Sequence, residues 1–114
     1  MSSVYPEGSK EAINLRKSLI PQNFEKFKEF SKSVFADGYL DEKTKHLIAI
    51  AVAHVTKCPY CIKSHTRMAK RLGASNEEIM EAIWVAVEMS AGAAYAHSII
   101  ALEEIVKEGI GGEK

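Results

Sequence analysis

The chain has no surplus of charge of either sign. Its 15 Lys and Arg balance 15 Asp and Glu, so no net field draws it toward nucleic acid or an anionic membrane, which argues against a non-specific nucleic-acid binder. The N-terminal residues lack a basic segment followed by an apolar run, so no signal peptide is expected. Long apolar stretches are missing too: the longest nearly uncharged run, residues 47–56, is about half of what spanning a bilayer requires. The expectation is a cytoplasmic protein with no membrane and no nucleic-acid partner. Strand-and-turn alternation is absent, as is any internal repeat, so a β fold or a solenoid is excluded. Cysteine is scarce. The two present sit close together, and in a reducing compartment such a pair points to catalysis or metal binding rather than to a structural disulfide.

What is there describes one globular unit. The 114 residues are 46% hydrophobic and 26% charged, ordinary for a folded domain and long enough to bury about two-thirds of the unfolded surface. A single all-α domain over residues 1–114 is expected, with residues 1–8 and 109–114 as loose ends.

Ser9 can cap a first helix, which Pro21 interrupts. Because proline is tolerated in a first turn, a second helix is expected to begin near Pro21. It carries Phe24, Phe27, Phe30, Val34 and Phe35 at three- and four-residue steps, a stripe that reads as core packing rather than as a ligand surface. Asp37 and Gly38 end it. Asp41 caps a third helix whose run L-I-A-I-A-V-A-H-V is apolar on nearly every side and is therefore expected to be buried on every side. Pro59 suits the first turn of a fourth helix, and Gly73 suits its end. Ser75 and Glu78 form a capping box ahead of Ile79, Ile83, Trp84 and Val87. Near Ser90 the residues become small, which predicts close helix–helix contact, followed by a last amphipathic stretch over residues 99–106.

The chemistry concentrates in C-P-Y-C-I-K-S-H, residues 58–65. Residues three apart on a helix lie about 5–6 Å apart at Cβ, and first-turn geometry can bring Cys58 and Cys61 to bonding range. His65 follows Cys61 by one turn and Cys58 by two, so the three share a face. A helix N-terminus stabilises a thiolate, and C-x-x-C thiols titrate about one to five units below a free cysteine. The set is a nucleophilic thiol, a second thiol to close a disulfide, and a base. Three other readings stand beside it. A structural disulfide closing so short a loop yields only about 2 kcal/mol. Zinc wants four ligands, so Cys58, Cys61 and His65 would need His54 or His46 as a fourth. Two buried spectator cysteines are the third option. Redox chemistry is favoured. His46 and His54 lie on the preceding helix, which a short loop folds back beside the cysteines, so both are candidate neighbours of the site. A histidine hydrogen-bonded in the core is the commoner fate for His54, and a structural one for His97. Tyr60, between the cysteines, is a further neighbour that either contacts substrate or packs.

The segment L-D-E-K-T-K-H-L-I-A-I-A-V-A from Leu40, the C-P-Y-C-I-K-S-H motif, and L-G-A-S-N-E-E-I from Leu72 together resemble the AhpD-like (alkylhydroperoxidase) branch of the carboxymuconolactone decarboxylase family. The resemblance covers roughly residues 40–104. It implies an AhpD-like helical bundle that oligomerises through its helices into a trimer or hexamer. It implies reduction of hydroperoxides without a cofactor other than the redox-active disulfide, which a dithiol partner such as a lipoylated or thioredoxin-like protein re-reduces. By the same resemblance Cys61 is the peroxidatic thiol, Cys58 the resolving thiol and His65 the proton relay. The family's relay glutamate falls at His46, and the histidine that AhpD has before its second cysteine falls at Tyr60. A neutral His46 can pass a proton but cannot supply a carboxylate's charge. The helix dipole alone favours Cys58 as the more acidic thiol, whereas the resemblance favours Cys61, beside His65. The alternatives are a general disulfide oxidoreductase, a carboxymuconolactone decarboxylase-type enzyme, and a non-catalytic helical module with or without zinc.

Overall fold

A computed structural model describes residues 5–109; the remainder of both expected loose ends, residues 1–4 and 110–114, lies outside the described residues. Five helices follow one another: α1 (Lys10–Leu19), α2 (Pro21–Phe35), α3 (Glu42–Thr56), α4 (Pro59–Arg71) and α5 (Asn76–Glu108). No strand occurs among the described residues, so the fold is all-α.

Local chemistry places the boundaries. The Ser9 hydroxyl accepts from the Ala12 N–H, and the Asp41 carboxylate accepts from Thr44 N–H at 2.8 Å. These side chains satisfy donors that a helix start leaves unpaired. Pro21 and Pro59 occupy first-turn positions of α2 and α4. The expected capping box is complete: Ser75 Oγ accepts from Glu78 N–H, and Glu78 Oε1 accepts from Ser75 N–H at 2.8 Å. The other Glu78 oxygen pairs with Lys43 Nζ at 2.9 Å, tying the start of α5 to the start of α3. Gly73 ends α4 with φ +92°, a left-handed conformation that favours glycine. Between α3 and α4 the same reversal is made by Lys57, at φ 62° and ψ 48°.

α3 is the central element, flanked by α4 and α5. The buried core is small. Ile50, fully enclosed, packs with Ala69, Ala74 and Ile79, and Leu47 and Ile83 close its edge. The alanines let α4 and the α4–α5 turn approach α3 closely.

Three expectations about burial fail, for one reason. Ile48, Val52 and Val55 of α3 are exposed, because α4 and α5 cover one side of the helix and leave the other open. Phe27 and Phe30 are 68% and 62% exposed, because α2 touches α1 and α3 only lightly. The small-residue stretch after Ser90 is mostly open to solvent and only borders a groove shared with α3 through Ser90 and Ala93; it and residues 99–106 belong to one uninterrupted α5, almost wholly exposed there. That helix has 33 residues, about 50 Å at 1.5 Å per residue, far longer than the helices it packs against. The radius of gyration is 20.5 Å, against about 13 Å for a compact chain of this size. By length and composition α5 could also cross a membrane. Residues 47–56 are thus not the longest uncharged run: residues 89–102 of α5 carry no Asp, Glu, Lys or Arg, and the apolar residues 85–87 extend that run across the single carboxylate of Glu88.

Candidate functional site

The site lies where the end of α2, the first turns of α3 and the middle of α4 converge, one turn beyond the cysteines at the start of α4. Cys58 is the N-cap of α4 and Cys61 lies in its first turn; the two are joined as a disulfide, Cα–Cα 5.3 Å. The Cys58 sulfur also accepts the Cys61 N–H at 3.2 Å. Both cysteines are half-buried.

The structure brings His65 and His46 together. His46 Nδ1 lies 2.9 Å from His65 Nδ1, so one imidazole donates and the other accepts a single shared proton. His46 is buried, 5% exposed, the one buried polar residue among the described residues. Burial first, and then the neighbouring His46, hold the His65 imidazole below its ordinary value of 6.5. At neutral pH His65 is therefore an uncharged base, one turn from Cys61.

Two residues complete the site that the sequence reading did not assign to it. Phe35, the last residue of α2, stacks on both imidazoles, with centroids 4.6 Å from His46 and 5.0 Å from His65. It had been read only as part of a core stripe, and no local signal singles it out, because its position depends on how α2 docks. Glu42, the first residue of α3, places Oε2 3.5 Å from His46 Nε2. Its spacing of four residues from His46 was a signal, since such pairs meet on a helix.

The remaining candidates lie elsewhere. His54 Nδ1 bonds the Ile50 carbonyl at 2.7 Å and faces a cleft toward Ile83 and Val87 of α5, apart from the paired imidazoles. His97 bonds the Ala93 carbonyl at 2.7 Å. Tyr60 is half-exposed, packs edge-on against Tyr5, and lines a cavity of about 330 Å³ with Gly8, Ile13 and Arg16. Among the described residues no group of three or more His, Cys, Asp or Glu is gathered as a metal site requires.

An all-helical chain with a C-x-x-C disulfide at a helix start and a part-buried imidazole pair behind it defines a class of small thiol proteins. The model of the carboxymuconolactone decarboxylase family matches residues 21–104, and the chain belongs to that family. It is 33% identical to the apo form of a carboxymuconolactone decarboxylase family protein from Legionella pneumophila, with a TM-score of 0.66 over 83% of this chain and 85% of that one. A family member from Thermotoga maritima, for which involvement in an antioxidative response has been suggested, is 30% identical with a TM-score of 0.55, over 77% of this chain and 97% of that one. The chain is also 67% identical over 76 residues to "uncharacterized protein 4 in cox locus" of Paracoccus denitrificans, covering 67% of this chain and 68% of that protein.

Proposed function

We propose that the chain is a thiol-dependent peroxidase of the alkylhydroperoxide reductase type. The observation that carries this reading is the Cys58–Cys61 disulfide at the start of α4, one turn from an imidazole held neutral at pH 7.

In the reduced protein His65 takes the Cys61 proton, and the thiolate attacks the terminal oxygen of a hydroperoxide. The S–O bond forms as the O–O bond breaks, and the alkoxide leaves as an alcohol with the proton returned by His65. Cys58 then attacks the Cys61 sulfenic acid; the S–S bond forms, and hydroxide leaves with the Cys58 proton as water. A dithiol reductant, a lipoylated or thioredoxin-like protein, attacks the Cys58 sulfur. Its second thiol resolves the mixed disulfide, which returns both cysteines as thiols. No cofactor beyond the disulfide takes part.

The setting is the cytoplasm, where such reductants are kept supplied. The working form is a homo-oligomer, a trimer or hexamer. The exposed apolar faces of α5 support it, as does the groove of about 530 Å³ lined by Val52, Val55, Val85 and Met89.

The test is turnover of hydrogen peroxide and an alkyl hydroperoxide with lipoylated protein, thioredoxin and dithiothreitol in turn, using Cys61→Ser as the blank. Turnover that vanishes in the blank is expected. Reduction of a model disulfide without peroxide consumption would reassign the chain as a general disulfide oxidoreductase. Decarboxylation of γ-carboxymuconolactone undiminished in the blank would assign the reaction that gives the family its name. Bound zinc with neither activity would make it a metal-binding module.

A further inference from the structure

His46 has two ring nitrogens, and the structure assigns a neighbour to each. Nδ1 faces His65 Nδ1 at 2.9 Å. Nε2 is fully buried and completes no hydrogen bond; a Glu42 carboxylate oxygen lies 3.5 Å away, at the long limit of one. The third neighbour, the Phe35 ring, lies flat against the imidazole and offers no hydrogen-bonding group there. The other charges nearby are turned elsewhere: Asp37 accepts the Glu42 N–H at 2.7 Å, Asp41 accepts the Thr44 N–H at 2.8 Å, Lys43 pairs with Glu78 of α5, and Lys45 donates to the Ala36 carbonyl at 2.6 Å.

Only one proton fits between the two Nδ1 atoms, and its owner fixes the rest. If His46 owned it, neutral His46 would turn a bare Nε2 lone pair toward the carboxylate, lone pair against lone pair, at a nitrogen that water does not reach. If His65 owns it, His46 carries its proton on Nε2, directed at Glu42, and accepts at Nδ1. His65 then keeps an unprotonated Nε2, the basic nitrogen that a thiol one turn away requires.

We propose that Glu42 is a positioning residue that selects this tautomer pair, so that His65 works as a base with His46 and Glu42 aligned behind it. When His65 takes a proton at Nε2, its Nδ1 proton can pass to His46 Nδ1 as the His46 Nε2 proton moves toward Glu42. Glu42 is 38% exposed at its side chain, so the chain of groups ends at water. The carboxylate absent from position 46 is thus supplied one turn earlier on the same helix. This rests on the peroxidase reading only in naming Cys61 as the thiol served.

Nitrogen-15 spectra of the histidine rings in the full chain test the tautomers without any turnover. The expected result is a proton on Nε2 of His46 and on Nδ1 of His65 in wild type at neutral pH, with a shift toward the opposite pair in Glu42→Ala. Opposite tautomers in wild type, or none changed in Glu42→Ala, overturn the inference. A second readout is the pH profile of iodoacetamide alkylation in the Cys58→Ser background, where Cys61 alone reacts. Loss of the carboxylate is expected to slow alkylation about three- to tenfold below neutrality and to leave the alkaline plateau unchanged. Glu42→Gln, which keeps an acceptor but not the charge, should keep the tautomers and share the slowing. Superimposable profiles overturn the proposal. Because neither readout uses peroxide, correct tautomers without turnover would sink the peroxidase reading and leave this one standing.

Discussion

Removing Phe35 tests whether the dryness of the imidazole pair is what keeps His65 neutral. Phe35 is half-buried, and its ring covers both histidines at stacking distance. Truncating a fully buried Phe to Ala costs about 3–5 kcal/mol. For a half-buried ring at the edge of a lightly attached helix, about half of that, roughly 2 kcal/mol, is expected. With a urea dependence of about 1.5 kcal/mol/M, the unfolding midpoint should fall by about 1.3 M. The second effect is chemical. Burial is the first cause of the depressed His65 value, so admitting water must raise it toward 6.5 and increase the imidazolium fraction near pH 6. Proton spectra of the histidine Cε1–H signals, followed from about pH 5 to 8, read this directly. Phe35→Leu serves as the control, since it keeps most of the apolar cover. An unchanged His65 midpoint in Phe35→Ala, in a variant shown to be folded, would refute the reasoning, because burial would then not be holding the imidazole neutral.

Two further outcomes follow from the core and from the histidine. Ile50→Ala removes the one large side chain that is fully enclosed among the described residues, and should cost about 2–5 kcal/mol in urea or thermal unfolding; a loss below about 1 kcal/mol would mean the α3–α4–α5 junction is not the core. The depressed His65 value makes stability pH-dependent in a fixed direction. Above pH 6.5 neither state is protonated and the full stability is present. As pH falls below 6.5 the unfolded chain binds the proton first, so stability declines until the folded value is reached. His65→Asn should flatten that decline below pH 6.5, measured by urea midpoints.

Helix starts were legible because they are local. Ser9, Asp41, Pro21, Pro59 and the Ser75–Glu78 pair act within one turn of themselves, so spacing alone locates them. Which face of α3 is covered was not legible, since Ile48 and Val52 are as apolar as the enclosed Ile50 and only the docking of α4 and α5 separates them. The same holds for the site. His65 follows the cysteines by a fixed helical interval, and the short α3–α4 link brings His46 alongside, but Phe35 arrives through a contact between helices that share no repeat or spacing.

Cys58 occupies a position with two duties: its sulfur is half of the disulfide, and it is also the atom that accepts the Cys61 N–H and caps α4. A thiolate accepts such a bond far better than a disulfide sulfur does. A step that leaves Cys58 as a thiolate, such as its release from a mixed disulfide, therefore improves the helix start, and by linkage the helix start favours that state over the disulfide. The redox poise of the two cysteines and the integrity of α4 are a single equilibrium, readable from either end.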